Sequence, residues 1–332
     1  MLSSSLSRSR TLIMGFAALA IYFAHAYSIV SLSGLTSSLF ALGNLGVDVF
    51  FLMSGFGMAF SMAHCGSVRS FYQRRFVRVG IPYLCISVPY YLAADFLLFA
   101  DSRGTMSRFL LDITSLAYWF FHTGAWYVSA LLPVYLLTPL LAKAIGASRH
   151  RWSVPIICIL VCCLISLVTP VVDDRFMSNV ANVVRRLPSF FVGYLVGSYG
   201  VHEPVHPSLL SRRGSVCVAC LIVGGVVLWA FLGRTSILNF FPALLCAYLL
   251  STVSLPSATR SAMEALGEGS LESYLFNIYC LELISEFTEA RGAFVYLVLC
   301  VLVIALALAA HRGVGVLSRR LLVSTASSAS HS

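Results

Sequence analysis

The chain is predicted to be an all-α, polytopic membrane protein with about ten transmembrane helices and no soluble domain. Of its 332 residues, 59% are hydrophobic and only 11% charged, too little charge to cover a soluble protein of this size. Apolar runs near the ~20 residues needed to cross a bilayer recur along the whole length. The placement of Lys and Arg adds an orientation.

The ten spans are expected at Thr11–Ser33, Leu39–Met62, Gly80–Ala100, Gly124–Ala147, Ser153–Pro170, Leu187–Gly200, Ser215–Leu232, Ile237–Val253, Ser270–Phe287 and Phe294–Ala310. The sixth is short and carries Gly193 and Gly197. With the N-terminus inside, the alternate segments hold Arg8 and Arg10, then Arg69, Arg74, Arg75 and Arg78, then Lys143, Arg149 and Arg151. Arg212, Arg213, Arg260, Arg312, Arg319 and Arg320 complete the set, so 15 of the 22 basic residues lie inside. Basic loops stay cytoplasmic, which puts both termini there and the protein in the cell membrane, in contact with lipid. Residues 1–10 form a cytoplasmic N-terminus, 11–310 the transmembrane domain, and 311–332 a cytoplasmic tail expected to be disordered. The net charge of +9 is therefore mostly a topology signal. Charges split among separated loops make no nucleic-acid surface.

The ten cysteines fall mainly inside apolar runs, where Cys acts as a small hydrophobe. Cys217 and Cys220 form a C-x-x-C, but no second pair or His set accompanies it, so no metal is expected.

His25 stands in the uncharged run Thr11–Leu32. An imidazole in hydrocarbon costs free energy unless it is paired or lines a polar cavity, which makes it a candidate functional residue. A competing reading is a leader: Arg8 and Arg10 precede an apolar stretch, and Ala24-His25-Ala26 fits a small-residue cleavage site. In the second span Asp48 is a carboxylate among Val and Phe. At ~1.5 Å per residue, His25 lies about 20 Å above the inner end of span one and Asp48 about 14 Å below the outer end of span two. Both fall in the outer half of a ~30 Å core. Depth alone leaves two readings open: a His25–Asp48 pair, or two residues facing different helices. Ser54, Gly55 and Gly57 follow on the same span, where small residues admit either another helix or a ligand. Arg74 and Arg78, four apart beside Arg75, suit either a headgroup anchor or an anion site facing the cytosol.

These elements, in this order, resemble the membrane-bound acyltransferase-3 family. The likeness rests on His25, on Gly-Val-Asp-Val-Phe-Phe-Leu-Met-Ser-Gly-Phe from Gly46, and on Phe-Tyr-Gln-Arg-Arg-Phe-Val-Arg from Phe71. Trp126-Tyr127, Arg186-Leu187-Pro188-Ser189 and Ser273-Tyr274 are further echoes, and the likeness runs from about Arg10 to His311. It implies that His25 stays in the mature protein. Two positions depart from the pattern. The family's arginine eleven positions before the histidine is Met14 here, with Arg10 one turn earlier. The family histidine after the Ser-Tyr pair is missing from the stretch Asn277 to Cys280.

The resemblance implies transfer of an acyl group, most often acetyl, from cytosolic acyl-CoA (acetyl-CoA) to a hydroxyl of a cell-envelope carbohydrate or glycolipid. His25 would be the general base, with Asp48 orienting it. Arg10, Arg74, Arg75, Arg78 and Ser54 would serve the donor; Trp126, Tyr127 and Arg186 the acceptor. No permanently bound cofactor is implied. Two alternatives remain: a transporter or flippase without chemistry, and a non-catalytic family member, for which Met14 is the main support.

Overall fold

Apolar runs surrounded by hydrocarbon become helices because every backbone N–H and C=O must be satisfied within the segment. The computed structural model describes all residues except 1, 27, 28, 32, 123, 170–173, 203–211, 288–291 and 330–332. For residues 2–3, 202, 212–218 and 317–329 it describes the backbone alone, so Cys217, Arg212, Arg213, Arg319 and Arg320 lie outside the described side chains. No strand occurs among the described residues.

In chain order the helices are α1 (Leu2–Arg8), α2 (Arg10–His25), α3 (Gly34–Ala41), α4 (Leu45–Ala63), α5 (Val68–Arg75), α6 (Ile81–Ala93), α7 (Ala100–Arg103), α8 (Met106–Ile113) and α9 (Ala117–Phe121). There follow α10 (Trp126–Ala147), α11 (Ser153–Val168), α12 (Arg175–Val184), α13 (Leu187–His202), α14 (Arg212–Phe231), α15 (Phe240–Thr252), α16 (Ser257–Glu268), α17 (Ser270–Phe287) and α18 (Ala293–Ala329). A π-turn at Phe76–Gly80 joins α5 and α6 into one continuous helix, and a second at Ala94–Leu98 extends it beyond α6. The backbone of α18 carries on to Ala329, through the tail expected to be disordered.

Among the described residues, four helices are long and apolar enough to cross a membrane: Gly34–Ala63, Val68–Leu98, Trp126–Ala147 and Ala293–Val316. Arg10–His25, Ser153–Val168, Ala219–Phe231 and Ser236–Thr252 are apolar but shorter. The expected ten spans are therefore not reproduced as ten full-length helices. A hydropathy pattern counts apolar residues whether or not they share one unbroken helix. Sixteen residues of α11 make about 24 Å, less than a ~30 Å hydrocarbon core.

The chain divides into two compact units. The first comprises Met1–Ala24, Ala41–Gly66 and Leu136–Gly267. Here α13 lies along α4, with α15 also on α4, α11 on α13 and α14 on α15. Glycines set the spacing. A Cβ added to Gly193 would stand 1.9 Å from the Leu52 carbonyl oxygen, and one on Gly55 2.0 Å from that of Phe190. Gly15 and Gly267 bring α2 equally close to α16, with Cβ positions 1.9 Å from the Met263 oxygen and 1.8 Å from the Thr11 oxygen. Close backbone approach of this kind is how helices associate where lipid removes the hydrophobic drive between them.

The second unit comprises His25–Phe40, Ser67–Tyr135 and Glu268–Ser332. In it α17 packs on α18 and α6, and α8 packs on α6. The α6–α17 seam is aromatic and polar: the Tyr90 and Tyr279 rings stack with centroids 4.0 Å apart, and the Ser87 and Tyr279 hydroxyls lie 2.6 Å apart.

Gly193→Ala is expected to lower the thermal midpoint of the detergent-purified protein by the equivalent of about 1–3 kcal/mol, the usual cost of overpacking. Gly224→Ala, whose Cβ meets nothing within 4 Å, should hold or raise it. Equal midpoints for the two variants would show that the α4–α13 spacing does not limit stability.

Candidate functional site

In the first unit, polar groups converge on Asp48. It is fully buried in the first turns of α4, between Val47 and Val49. Its Oδ2 accepts from the Arg186 guanidinium and, at 2.7 Å, from Asn239 Nδ2; its Oδ1 accepts from Ser189 Oγ at 3.2 Å. Arg186 sits just ahead of α13, whose first turn holds Pro188 and Ser189, and Asn239 immediately precedes α15. Asn239 is itself fixed by Trp229 Nε1, which donates to its Oδ1 at 2.8 Å. Arg186 Nη1 also donates to the Asn44 carbonyl at 3.4 Å, while its buried Nε has no hydrogen-bond partner among the described residues. The result is a desolvated ion pair with one donor left open.

Arg10, the first residue of α2, lays its guanidinium against Gly57 of α4: a Cβ there would stand 2.9 Å from Arg10 Nη2. Gly57 is thus the seat of Arg10, whereas Gly55 serves helix packing. Ser54 is buried on α4.

In the second unit His25 ends α2, and its Nδ1 is hydrogen-bonded to Asn277 Oδ1 of α17. With the amide in this orientation its oxygen only accepts, which makes Nδ1 the donor of the bond. Asn277 is completely buried, and its Nδ2 has no hydrogen-bond partner among the described residues. Four residues earlier on α17, and likewise buried, Ser273 and Tyr274 begin the same helix segment. The Tyr274 hydroxyl accepts from the backbone N–H of Tyr127 at 3.0 Å, which ties the start of α10 to α17. Tyr127 is buried and Trp126 partly so, unlike residues of an exposed interfacial belt.

Arg74 and Arg78 are exposed, while Arg75 is half-buried with its guanidinium 5.9 Å from the Phe71 ring. The three arginines therefore divide into two that reach outward and one turned in. Among the described residues, no group of three His, Cys, Asp and Glu side chains could hold a metal ion.

A family model described as an acyltransferase domain matches residues 12–312. The chain belongs to the acyltransferase-3 family. No curated protein and no solved structure matches it. The matched stretch begins beyond Arg10 and includes Met14, His25, Asp48, the arginine run and the Ser273-Tyr274 pair.

Within this acyltransferase-3 chain the structure sorts the residues singled out from sequence. Asp48 and Arg186, assigned to different roles, are one ion pair. His25 takes Asn277, and Asp48 takes Arg186, Ser189 and Asn239: of the two readings left open by depth, the structure shows each residue with partners of its own. Asn277 and Asn239 were not picked out as functional from sequence. The available signal was polarity alone: an amide buried without a hydrogen bond is costly, though far less so than an unpaired charge.

Asp48→Ala is expected to leave the Arg186 cation buried without its counter-ion, costing about 3–5 kcal/mol. Thermal unfolding in detergent should show a large fall in midpoint. Asp48→Leu combined with Arg186→Met should recover most of it, whereas additive losses would show that the pair is not the unit that matters.

Proposed function

We propose that the protein is an integral membrane O-acyltransferase. It moves an acyl group, acetyl in the first instance, from cytosolic acyl-CoA to a hydroxyl of a cell-envelope carbohydrate or glycolipid. The observation that carries this reading is the His25–Asn277 bond. A hydroxyl is a weak nucleophile near neutral pH and needs a base within reach. With Nδ1 held by Asn277, His25 Nε2 takes the acceptor proton as the acceptor oxygen attacks the thioester carbonyl. The new C–O bond gives a tetrahedral oxyanion; the C–S bond then breaks, and the coenzyme A thiolate leaves with the proton that Nε2 received.

Asn277 is a positioning residue for His25. Arg74 and Arg78, exposed on the proposed cytoplasmic side, suit the phosphates of the donor, and Arg75, Arg10 and Ser54 are the further candidates for donor binding. Arg186, anchored by Asp48, keeps its Nε as a donor for an acceptor oxygen, and Trp126 and Tyr127 are the aromatic candidates for acceptor binding. The shorter apolar helices, together with α13 and α17, complete about ten crossings in the cell membrane, with both termini in the cytoplasm.

Inside-out vesicles given radiolabelled acetyl-CoA should transfer label to a glycan or lipid, and His25→Ala should reduce the rate by at least about a hundredfold. Equal labelling with and without His25 overturns the base assignment. Separately, Arg74→Gln with Arg78→Gln should raise KM for acetyl-CoA several-fold at nearly constant kcat. A fall in kcat at constant KM would instead place these arginines outside donor binding.

A further inference from the structure

Helix α10 is long and apolar enough to cross a membrane, its 22 residues making about 33 Å. The turn that follows it therefore lies at a membrane face. Residues 148–152 form this turn between α10 and α11, and they and both flanking helix ends belong to the first unit. The turn is tied down from within. The Ser148 and Ser153 hydroxyls lie 2.7 Å apart, at 3.0 and 2.6 Å from the His150 carbonyl oxygen. That oxygen also accepts from the Ser153 N–H at 3.1 Å. The side chains on the turn are thus presented from a fixed backbone.

These side chains are cationic and have no counter-ion. Arg149 is exposed, Arg151 partly so, and Lys143 is exposed near the end of α10. None of the three forms an ion pair with another described residue. Positions 113–172 hold no Asp or Glu, and α11 begins with no acidic residue in its first turn and no side-chain cap. A single cation would offset the dipole at the end of α10; three are present. Beside them Trp152 is 46% exposed, with the His150 ring stacked on its indole at 5.4 Å. There is also room. Ala144, Gly146 and Ala147 are the exposed neighbours of Lys143, and a Cβ on Gly146 would meet nothing within 4 Å.

We propose that this turn is a docking surface for an anionic phospholipid. Arg149 and Arg151 take the headgroup phosphate, Lys143 adds charge, and Trp152 seats its indole where headgroups meet acyl chains. Guanidinium forks match phosphate oxygens, and an indole prefers the membrane interface to water or hydrocarbon. A soluble anion would answer the arginines and leave the apolar surface of Trp152 in water. A lipid answers both at once, and at the depth where α10 ends. The inference goes beyond acyl transfer; it takes from the proposed function only the orientation, which makes the leaflet the cytoplasmic one.

Native mass spectrometry of the full chain, released from nanodiscs of mixed phosphatidylglycerol and phosphatidylcholine, counts the lipids that stay bound. Wild type should retain phosphatidylglycerol over phosphatidylcholine. Arg149→Gln with Arg151→Gln should cut that preference by at least about tenfold, since each basic residue near an anionic surface contributes about fivefold. Arg69→Gln with Arg312→Gln removes the same charge from exposed positions elsewhere and should leave the preference intact. Trp152→Ala should lower retention of both lipids. Thermal midpoints in pure phosphatidylcholine nanodiscs should match wild type for both double variants, because these side chains have no protein counter-ion to lose. With phosphatidylglycerol added, the midpoint should rise in wild type and not in Arg149→Gln/Arg151→Gln. No preference in wild type, the same preference in Arg149→Gln/Arg151→Gln, or an equal loss in Arg69→Gln/Arg312→Gln overturns the proposal. So does displacement of the bound lipid by inorganic phosphate, which would make the site one for a soluble anion, or unchanged retention in Trp152→Ala.

Discussion

A carboxylate with no exposed surface, set between valines and phenylalanines on an apolar helix, must find its partners inside the protein. Asp48 draws its bonds from three separate stretches of chain: Arg186 and Ser189 at the head of α13, Asn239 at the head of α15, and through Asn239 the Trp229 indole of α14. Each comes from a helix end or near it, where backbone groups are already short of partners and polar side chains are best tolerated. Satisfying one carboxylate therefore fixes where α13, α14 and α15 stand against α4. The glycines do the complementary work. Gly55 and Gly193 let α4 and α13 approach until backbone meets backbone, and the ion pair sits at one end of that contact. An apolar pair of the same shape could hold the helices as firmly. What it could not supply is an arginine, held in place, with a donor left open.

The second unit solves the same problem with amides and hydroxyls. Along α17, Tyr274, Asn277, Tyr279 and Glu282 all turn inward, meeting the Tyr127 backbone, His25, Ser87, Tyr90 and Arg103 in succession. A neutral amide suits His25 better than a carboxylate would if the imidazole is to act as a base. The amide fixes the tautomer without holding the ring as a permanent imidazolium. Asn277 is the polar group that α17 presents to His25.

Much of this was legible before any coordinates. Composition and repeated apolar runs marked an all-helical membrane-type protein, and the blocks at His25, Gly46 and Phe71 marked the family. Helix continuity was not legible. The third span was expected to begin only at Gly80, yet a π-turn at Phe76–Gly80 carries α5 straight into α6. Depth arithmetic also has a limit: rise per residue locates His25 and Asp48 along their helices but says nothing of the direction each faces. That angle is decided by tertiary partners, and these came from α13, α15 and α17, far away in sequence.

The tautomer of His25 tests the central claim most directly. Solid-state nitrogen-15 NMR of histidine-labelled protein in lipid, with the His25 signal assigned by its loss in His25→Gln, reads the protonation of each ring nitrogen. The account predicts a neutral ring at pH 7 with the hydrogen on Nδ1 and the lone pair on Nε2, and loss of that preference in Asn277→Ala. A hydrogen on Nε2 in the wild-type protein, or a ring unaffected by Asn277→Ala, would contradict it.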